Sequence, residues 1–298
     1  MKRILLFVLL TIAAIQVNAQ HIKELSGFAS PESLLQHGRL VYVSNVGRQL
    51  QPALKDGDGF ISLLSEDGSL LNRHFLPLPS DTLHAPKGMV RIGSTLYVTD
   101  IDRIVGFDVK SRKKVFELDM KPASQFLNDL EVLDRNQLTV SATDAGKIFV
   151  VNLQGKGSYR ELGLTLEIRG ANGLKYDASR KQLYVNGFGA SGQPTGELYA
   201  VRLNRTPTAA KVIPATGYYD GLALSGQTLL LSSWVSFEKA GEILSIDLQT
   251  GKSSVLPLPV RFAGPADIWL EAKQQVLWVP AILEGKVYRV NLKDKDQR

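Results

Sequence analysis

The sequence predicts an all-β fold, a six-bladed β-propeller built from four-stranded antiparallel blades. Three observations lead to this prediction. A short segment that combines a turn residue, a charge and an alternating apolar run occurs six times. Other β-rich runs stand at fixed offsets from each copy. After the apolar N-terminal run, no stretch has a convincing helical period.

The repeated segment begins near residues 59, 102, 146, 196, 241 and 285, at intervals of 43 to 50 residues. Four copies are a glycine and a charge followed by IFVVNL, LYAVRL, ILSIDL or VYRVNL. Propeller blades repeat at about 40 to 50 residues. A β-sandwich is the alternative, but it does not predict a sustained period of this length.

The remaining strands of each unit flank the repeated segment. A β-rich run precedes each copy, as in RLVYVSNV, TLYVTDI and QLYVNGF, with a shorter run before it and a weaker strand after it. The sixth unit supplies only three strands before Arg298. We therefore expect residues 21–28, from His21 to Phe28, to provide its outer strand and to close the ring, which would cover an exposed sheet edge.

The N-terminus predicts a secretory signal over residues 1–19. Lys2 and Arg3 precede an apolar run from Ile4 to Ile15, and Ala19 ends a compact Val-Asn-Ala sequence. The run is short for a spanning helix, although a retained anchor is the alternative. We expect a secreted or periplasmic protein without stable membrane association, with residues 20–298 forming one propeller domain.

Composition narrows the possible chemistry. The chain has no cysteine, which excludes disulfides, thiolate metal sites and a lipid-modified cysteine. Its net charge of +6 is carried by interspersed residues, two of them within the predicted signal. No basic stripe alternates with aromatic residues, so nucleic acid is not an expected partner. A small-molecule substrate is the expected partner instead.

One position of the repeat is polar in five of six units. Just before the innermost strands, the aligned residues are Glu32, Lys87, Asn128, Asn172, Asp220 and Ala266. Innermost strands line the channel of a propeller, so this column converges on one axis. Its carboxylates and carboxamides are the donors that Ca²⁺ prefers, whereas transition metals favour His or Cys. The alternative is repeated turn chemistry, since Asn172-Gly173 and Asp220-Gly221 are typical turn dipeptides.

Short motifs of this column resemble the SMP-30/gluconolactonase/LRE-like family over roughly residues 31–292. They are Pro31-Glu32-Ser33, Asn128-Asp129, Ala171-Asn172-Gly173-Leu174 and Asp220-Gly221-Leu222. The resemblance implies a six-bladed propeller that hydrolyses sugar lactones and related esters. It implies a divalent metal, commonly calcium, held by Glu32, Asn172 and Asp220.

The resemblance also implies roles beyond the three principal metal ligands. Asn128 lies beside the metal and, with Asp129, is assigned to substrate binding. Asp220 is in addition the general base. The sequence departs from the sugar lactonases just before the Asn-Asp pair, where those enzymes carry an Arg and this chain has Ser124-Gln125-Phe126-Leu127.

Lys87 is the second departure, because related paraoxonase-type lactonases carry a catalytic His-Gly step where this chain has Lys87-Gly88. An ammonium in the channel could bind a substrate oxygen, or act as a base if its pKa is depressed. It could also pair with Glu32 and Asp220 in place of part of the metal charge, or extend to solvent.

Two functional hypotheses follow. The first is a metal-dependent hydrolase of a lactone or small ester, in which the cation polarises the carbonyl and Asp220 activates water, with Lys87 as a further catalytic candidate. The second is a non-catalytic propeller that binds a small ligand or a protein and keeps a structural cation in its channel. Propellers host both classes, so the fold alone does not decide.

Overall fold

The computed structural model describes residues 22–293, and it confirms the predicted six-bladed β-propeller. Six separate four-stranded antiparallel sheets make up the ring, so the β-sandwich alternative is wrong. The predicted signal over residues 1–19 and His21 of the predicted closing strand lie outside the described residues. Within residues 22–293, no helix has the length and apolar character needed to cross a bilayer.

The first three blades follow each other along the chain, and each runs from the channel outward. Blade 1 consists of β2 (Pro31–His37), β3 (Leu40–Asn45), β4 (Phe60–Ser65) and β5 (Leu70–Leu76). Blade 2 consists of β6 (Pro86–Ile92), β7 (Thr95–Asp100), β8 (Arg103–Asp108) and β9 (Lys114–Asp119). Blade 3 consists of β10 (Leu127–Asp134), β11 (Gln137–Ala142), β12 (Lys147–Asn152) and β13 (Ser158–Glu161).

The other three blades have the same layout, except that the last takes its outer strand from the N-terminal part of the chain. Blade 4 consists of β14 (Ala171–Asp177), β15 (Gln182–Gly187), β16 (Leu198–Arg202) and β17 (Thr208–Lys211). Blade 5 consists of β18 (Tyr219–Ser225), β19 (Thr228–Ser233), β20 (Glu242–Asp247) and β21 (Ser253–Val255). Blade 6 consists of β22 (Trp269–Glu271), β23 (Val276–Ala281), β24 (Lys286–Asn291) and β1 (Ile22–Ser26). A short 3₁₀ turn spans Ile282–Glu284.

Burial follows the position of each strand in its blade. The second strands are buried along almost their whole length because neighbouring blades cover both of their faces. Their sequences are accordingly rich in Val and Leu and do not alternate strictly between apolar and polar residues. The outermost strands are largely exposed, as in β21. The apolar core therefore lies between blades, and each interface binds one blade to the next.

The ring closes where the sequence predicts. β1 pairs antiparallel with β24, from Ile22 opposite Val290 to Ser26 opposite Lys286. Leu25 packs against the apolar cluster shared by blades 1 and 6. The chain then continues directly into blade 1, so one sheet contains strands from both ends of the described chain. This arrangement covers the edge of β24 and ties blade 6 to blade 1.

The inner strands share a local irregularity that matters for the channel. In β2, β6, β10, β14 and β18, the pairing register with the second strand shifts across the two residues that follow the first residue of the strand. Residues in such a bulge leave the regular ladder, and their side chains are redirected. The bulged pair begins with the polar column residue in each of these five blades.

We predict that removing Ile22–Ser26 lowers stability by more than about 3 kcal/mol, beyond the usual range of a point substitution. For a domain of this size that corresponds to a fall in Tm of at least about 6 °C. A synthetic peptide of residues 22–28 added in trans should recover part of the loss, measured by thermal denaturation. Equal recovery with a scrambled peptide, or an unchanged Tm, would contradict the closing role of β1.

Candidate functional site

One end of the channel opens into a pocket of about 340 Å³. All five polar column residues line it: Glu32, Lys87, Asn128, Asn172 and Asp220. The sixth, Ala266, is buried in the apolar cluster beside it. The structure therefore brings together the residues that the repeat placed on one axis, although each comes from a different blade.

Buried polar side chains of the second strands hold the backbone of this column. Asn186 donates to the Asp220 carbonyl at 2.6 Å and accepts from the Gly173 amide at 3.2 Å. Ser232 accepts from the Gly221 amide at 2.7 Å and donates to the Ala266 carbonyl at 2.8 Å. These bonds link each blade to the next at the level of the site, so they fix the spacing between column residues.

The glycines that follow two column residues are not turn residues. Gly173 and Gly221 lie inside β14 and β18, and neither has a positive φ. A Cβ on Gly173 would stand 2.2 Å from the Asp220 carbonyl oxygen, and one on Gly221 would stand 2.5 Å from the Asp267 Cα. Glycine is needed there because the next blade approaches closely, so the turn-chemistry alternative for Asn172-Gly173 and Asp220-Gly221 is wrong.

Four oxygens of the column are buried without any hydrogen-bond partner. They are Glu32 Oε2, Asn128 Oδ1, Asn172 Oδ1 and Asp220 Oδ1. Buried polar atoms in proteins are nearly always bonded, and leaving one unpaired costs about 1 to 3 kcal/mol. Four such acceptors around one pocket need partners, which a bound cation or ordered water could supply.

The electrostatics of the pocket are consistent with this need. Burial, followed by repulsion from Asp220, raises the pKa of Glu32 well above its ordinary value. Burial and repulsion from Asp267 raise the pKa of Asp220 to about 8. Without a positive partner these carboxyls therefore favour their protonated forms. A nearby divalent cation would reverse that preference.

The donor set fits a hard cation bound by mixed oxygen ligands. No group of three or more His, Cys, Asp or Glu within residues 22–293 could hold a metal ion. Any cation here would rest on two carboxylates and two carboxamides, with water completing the shell. Calcium accepts such sets, because it takes carboxylate and carbonyl oxygens in flexible geometry.

Asp220 is oriented by a tryptophan that the sequence reasoning did not select. Trp234 Nε1 donates to Asp220 Oδ2 at 2.9 Å, which leaves Oδ1 as the unpartnered oxygen. Trp234 itself is buried and lines the pocket. The bond therefore fixes which of the two carboxylate oxygens is free.

Lys87 is buried in the pocket wall, with 1 % of its surface exposed, so it does not extend to solvent. Its ammonium donates to the Pro52 carbonyl at 2.8 Å and the Ala85 carbonyl at 3.1 Å, and lies 4.5 Å from the centre of the Phe126 ring. No salt bridge within 4.0 Å joins it to Glu32 or Asp220 among the described residues. Burial lowers the pKa of Lys87 to about 8, although Glu32 partly opposes the shift.

The position of Lys87 has a structural cause in the repeat. In five blades, the residue after the second strand donates its amide to the carbonyl two residues before the column, as from Trp234 to Tyr218 and from Phe188 to Gly170. In blade 2 the equivalent carbonyl, that of Ala85, accepts from the Lys87 ammonium. Lys87 thus satisfies a local acceptor as well as facing the pocket.

Asp129 lies between blades and does not line the pocket, which argues against the substrate-binding role implied by the resemblance. Its Oδ2 accepts from the Leu174 amide of blade 4 at 2.7 Å, and its Oδ1 accepts from the Leu130 amide at 2.7 Å. Burial raises the pKa of this carboxyl well above its ordinary value, with Asp267 as the next cause. Asp129 therefore positions the backbone beside Asn128 and Asn172.

A second position of the repeat forms a further part of the pocket wall, here called the upper wall. The sequence reasoning missed this position. It is made by the residue that follows each second strand: Val46, Ile101, Thr143, Phe188, Trp234 and Ile282. All of them except Ile101 line the pocket. The signal was available in the sequence, because these residues stand at a constant offset from the predicted second strands.

Solved structures with the same fold come from proteins with diverse names, and no protein-family model or curated protein matches the sequence. Virginiamycin B lyase from Staphylococcus aureus superimposes with a TM-score of 0.62 at 14% identity, covering 92% of this chain and 100% of its own. A protein described as a candidate gluconolactonase superimposes with a TM-score of 0.61 at 13% identity, and the match covers 91% of this chain and 92% of that protein. An auxiliary nutrient binding protein from Bacteroides thetaiotaomicron superimposes with a TM-score of 0.63 at 11% identity, and the match covers 89% of this chain and 69% of that protein. At these identities the likeness shows the propeller fold.

The environment of Lys87 predicts a pH-dependent stability. The pKa of Lys87 is about 8 in the folded protein against 10.5 for an ordinary lysine, so the unfolded chain binds more protons between these values. Stability should therefore rise with pH in this window. The free energy of unfolding of the natural protein, relative to Lys87→Met, should increase by about 2 to 3 kcal/mol from pH 7.5 to 10.5.

Urea unfolding of both proteins at several pH values measures this difference. Lys286→Met is an opposite control, because the hydrogen bond with Glu24 raises the pKa of Lys286. A Lys87 difference that stays constant, or that falls with rising pH, would contradict the buried, depressed ammonium.

Proposed function

We propose that this chain is a hydrolase of a lactone or small ester that depends on a divalent cation, with calcium as the cation. One observation carries the proposal: four unpartnered column oxygens surround one pocket, and one of them belongs to the oriented carboxyl Asp220. This is the arrangement expected of a site that needs both a cation and a base. Fold likeness to a candidate gluconolactonase is consistent with the proposal but does not carry it.

The cation would be held by Glu32, Asn172 and Asp220, with Asn128 beside them. When bound, it would supply Lewis-acid polarisation of the substrate carbonyl. The residues of the chain have separate tasks. Glu32 would provide a carboxylate oxygen, and a cation would offset the burial and the repulsion from Asp220 that raise its pKa. Asn128 and Asn172 provide neutral oxygens that orient without adding repulsion.

Asp220 is proposed as the general base. Its oxygen Oδ1 has no partner among the described residues, while Trp234 holds Oδ2, so the base has a fixed direction. A pKa of about 8 without a cation means that the carboxyl would be largely protonated at neutral pH. Positive charge nearby favours the carboxylate. The same residue can then take a proton from water placed between it and the carbonyl carbon.

Lys87 is proposed to stabilise negative charge on the substrate oxygen. Two of its three N–H groups are directed to the Pro52 and Ala85 carbonyls, which leaves one for a ligand. A buried ammonium acts strongly on charge that develops in the transition state. Its alternative role as a base is compatible with the lowered pKa, but Asp220 already has a free oxygen in the same pocket.

The proposed setting is the periplasm or the exterior of the cell, on the basis of the N-terminal sequence. The non-catalytic alternative, a ligand-binding propeller with a structural cation, uses the same column but requires no chemistry at Asp220. The two functions differ in one measurable property, which is turnover that depends on the Asp220 carboxylate.

We predict that the purified protein hydrolyses members of a panel of sugar lactones, alkyl lactones and aryl esters in the presence of Ca²⁺, and that a chelator abolishes the activity. Asp220→Asn should lower kcat by about 10² to 10⁴, the usual contribution of general acid–base catalysis. Asp134→Asn, which changes an exposed carboxylate at the end of β10, is the matched control and should leave kcat unchanged.

Each outcome of this assay decides between the alternatives. Absence of hydrolysis across the panel with Ca²⁺ present would contradict the enzyme proposal and favour the binding propeller. Activity that survives Asp220→Asn would contradict the assignment of the base. Loss in both Asp220→Asn and Asp134→Asn would indicate a general effect on folding, which circular dichroism of the variants detects.

A further inference from the structure

The geometry points to a substrate whose reacting carbonyl carries an apolar substituent, an alkyl chain or an aryl group, rather than the hydroxyls of a sugar. We infer that the pocket selects lipophilic lactones or esters. The identity of the reacting group rests on the proposed function, whereas the apolar substituent rests on the apolar lining of the pocket.

An aromatic wall, formed by Phe188, Trp234 and Phe237, stands above the polar column. The Phe188 and Trp234 rings meet edge to face with centroids 5.0 Å apart, and the Trp234 and Phe237 centroids are 5.5 Å apart. Tyr218 supports them from behind, 5.3 Å from both Phe188 and Phe237. The wall offers ring faces and edges to whatever enters.

Polar groups of the upper wall are already occupied. Above the column, the only hydroxyl side chain that lines the pocket within residues 22–293 is Thr143, and it donates to the Ala171 carbonyl at 2.7 Å. Trp234 Nε1 is bonded to Asp220, and the Tyr218 hydroxyl donates to the Gly192 carbonyl at 2.6 Å. Hydroxyls placed against this upper wall would therefore lose water and find few partners, which is unfavourable.

The departure before the Asn-Asp pair fits the same conclusion. Phe126 lines the pocket in the stretch where sugar lactonases carry an Arg, and its ring lies against the Lys87 ammonium. Ser124, in the same stretch, donates to Asp144 at 2.6 Å and does not line the pocket. The pocket wall in this stretch is therefore an aromatic ring and carries no cationic side chain.

The mouth of the pocket exposes apolar surface that the fold does not require. Three of its lining residues are exposed although they are large and apolar: Leu50 at 36%, Phe237 at 57% and Leu283 at 39%. They come from three separate loops that follow the second strands of blades 1, 5 and 6. Convergence of three loops on one apolar rim is typical of a ligand site.

The test uses γ-lactones with alkyl substituents of increasing length, from unsubstituted butyrolactone upward, together with gluconolactone. We expect kcat/KM to rise by about fourfold for each added methylene over the first several carbons, because each buried methylene contributes about 0.8 kcal/mol. Phe237→Ala should reduce the ratio of kcat/KM between the longest and shortest lactone by at least about tenfold. Leu71→Ala removes an apolar side chain of similar exposure (55%) on the outer strand β5 and should leave this ratio unchanged.

A binding measurement separates this inference from the proposed hydrolysis. The corresponding alkyl γ-lactams resist hydrolysis, and isothermal titration calorimetry should give a Kd that falls with chain length and rises in Phe237→Ala. That result without lactone turnover would support the apolar site and overturn the hydrolase proposal. Turnover of gluconolactone above every alkyl lactone, or equal lactam affinity at all chain lengths, would overturn the inference while leaving the hydrolase proposal intact.

Discussion

Burial of carboxylates at the axis of a closed ring is the constraint on which the rest of this structure depends. Glu32 and Asp220 lose their water in the channel, and the nearby ammonium of Lys87 is bonded to carbonyls instead of to either acid. An uncompensated buried charge is expensive. The two acids can be protonated, or they can share a cation, and the second state leaves Asp220 able to accept a proton.

The ring geometry maintains this constraint. Each of the five polar column residues sits on the inner strand of a different blade, so the site exists only while those blades keep their spacing. Bulges in the inner strands and bonds such as Asn186 to the Asp220 carbonyl set that spacing locally. Closure by β1 sets it globally. Stability and site geometry are therefore coupled, because opening the ring would move Glu32 of blade 1 relative to Ala266 of blade 6.

Much of the fold was predictable because the repeat is written in the sequence at an interval of 43 to 50 residues. Once six units are aligned, Glu32, Asn172 and Asp220 fall in one column without any knowledge of three-dimensional contacts. The hydrogen bond from Trp234 to Asp220 was not predictable in the same way. It depends on how far the Trp234 side chain, which follows β19, reaches toward the bulged residue Asp220. The family resemblance places Asp129 at the substrate, whereas its carboxylate accepts a hydrogen bond from the Leu174 amide of the next blade.

Lys87 is a residue whose place in the channel is predictable from the sequence but whose contacts are not. Its sequence position predicts an ammonium in the channel, and the structure places it there. Its partners are the Ala85 and Pro52 carbonyls, which belong to its own turn and to a loop 35 residues away. Periodicity can identify the column that a residue occupies, but not whether its head group faces the axis or a neighbouring carbonyl.

The central claim, that a divalent cation occupies the column, is tested most directly by a crystal structure of the protein grown with Ca²⁺. Anomalous scattering from a terbium-exchanged crystal would locate the same site. The account predicts one peak with oxygens of Glu32, Asn172 and Asp220 at about 2.3 to 2.6 Å in the calcium form. A pocket without a peak, or with the Lys87 ammonium lying between Glu32 and Asp220, would contradict it.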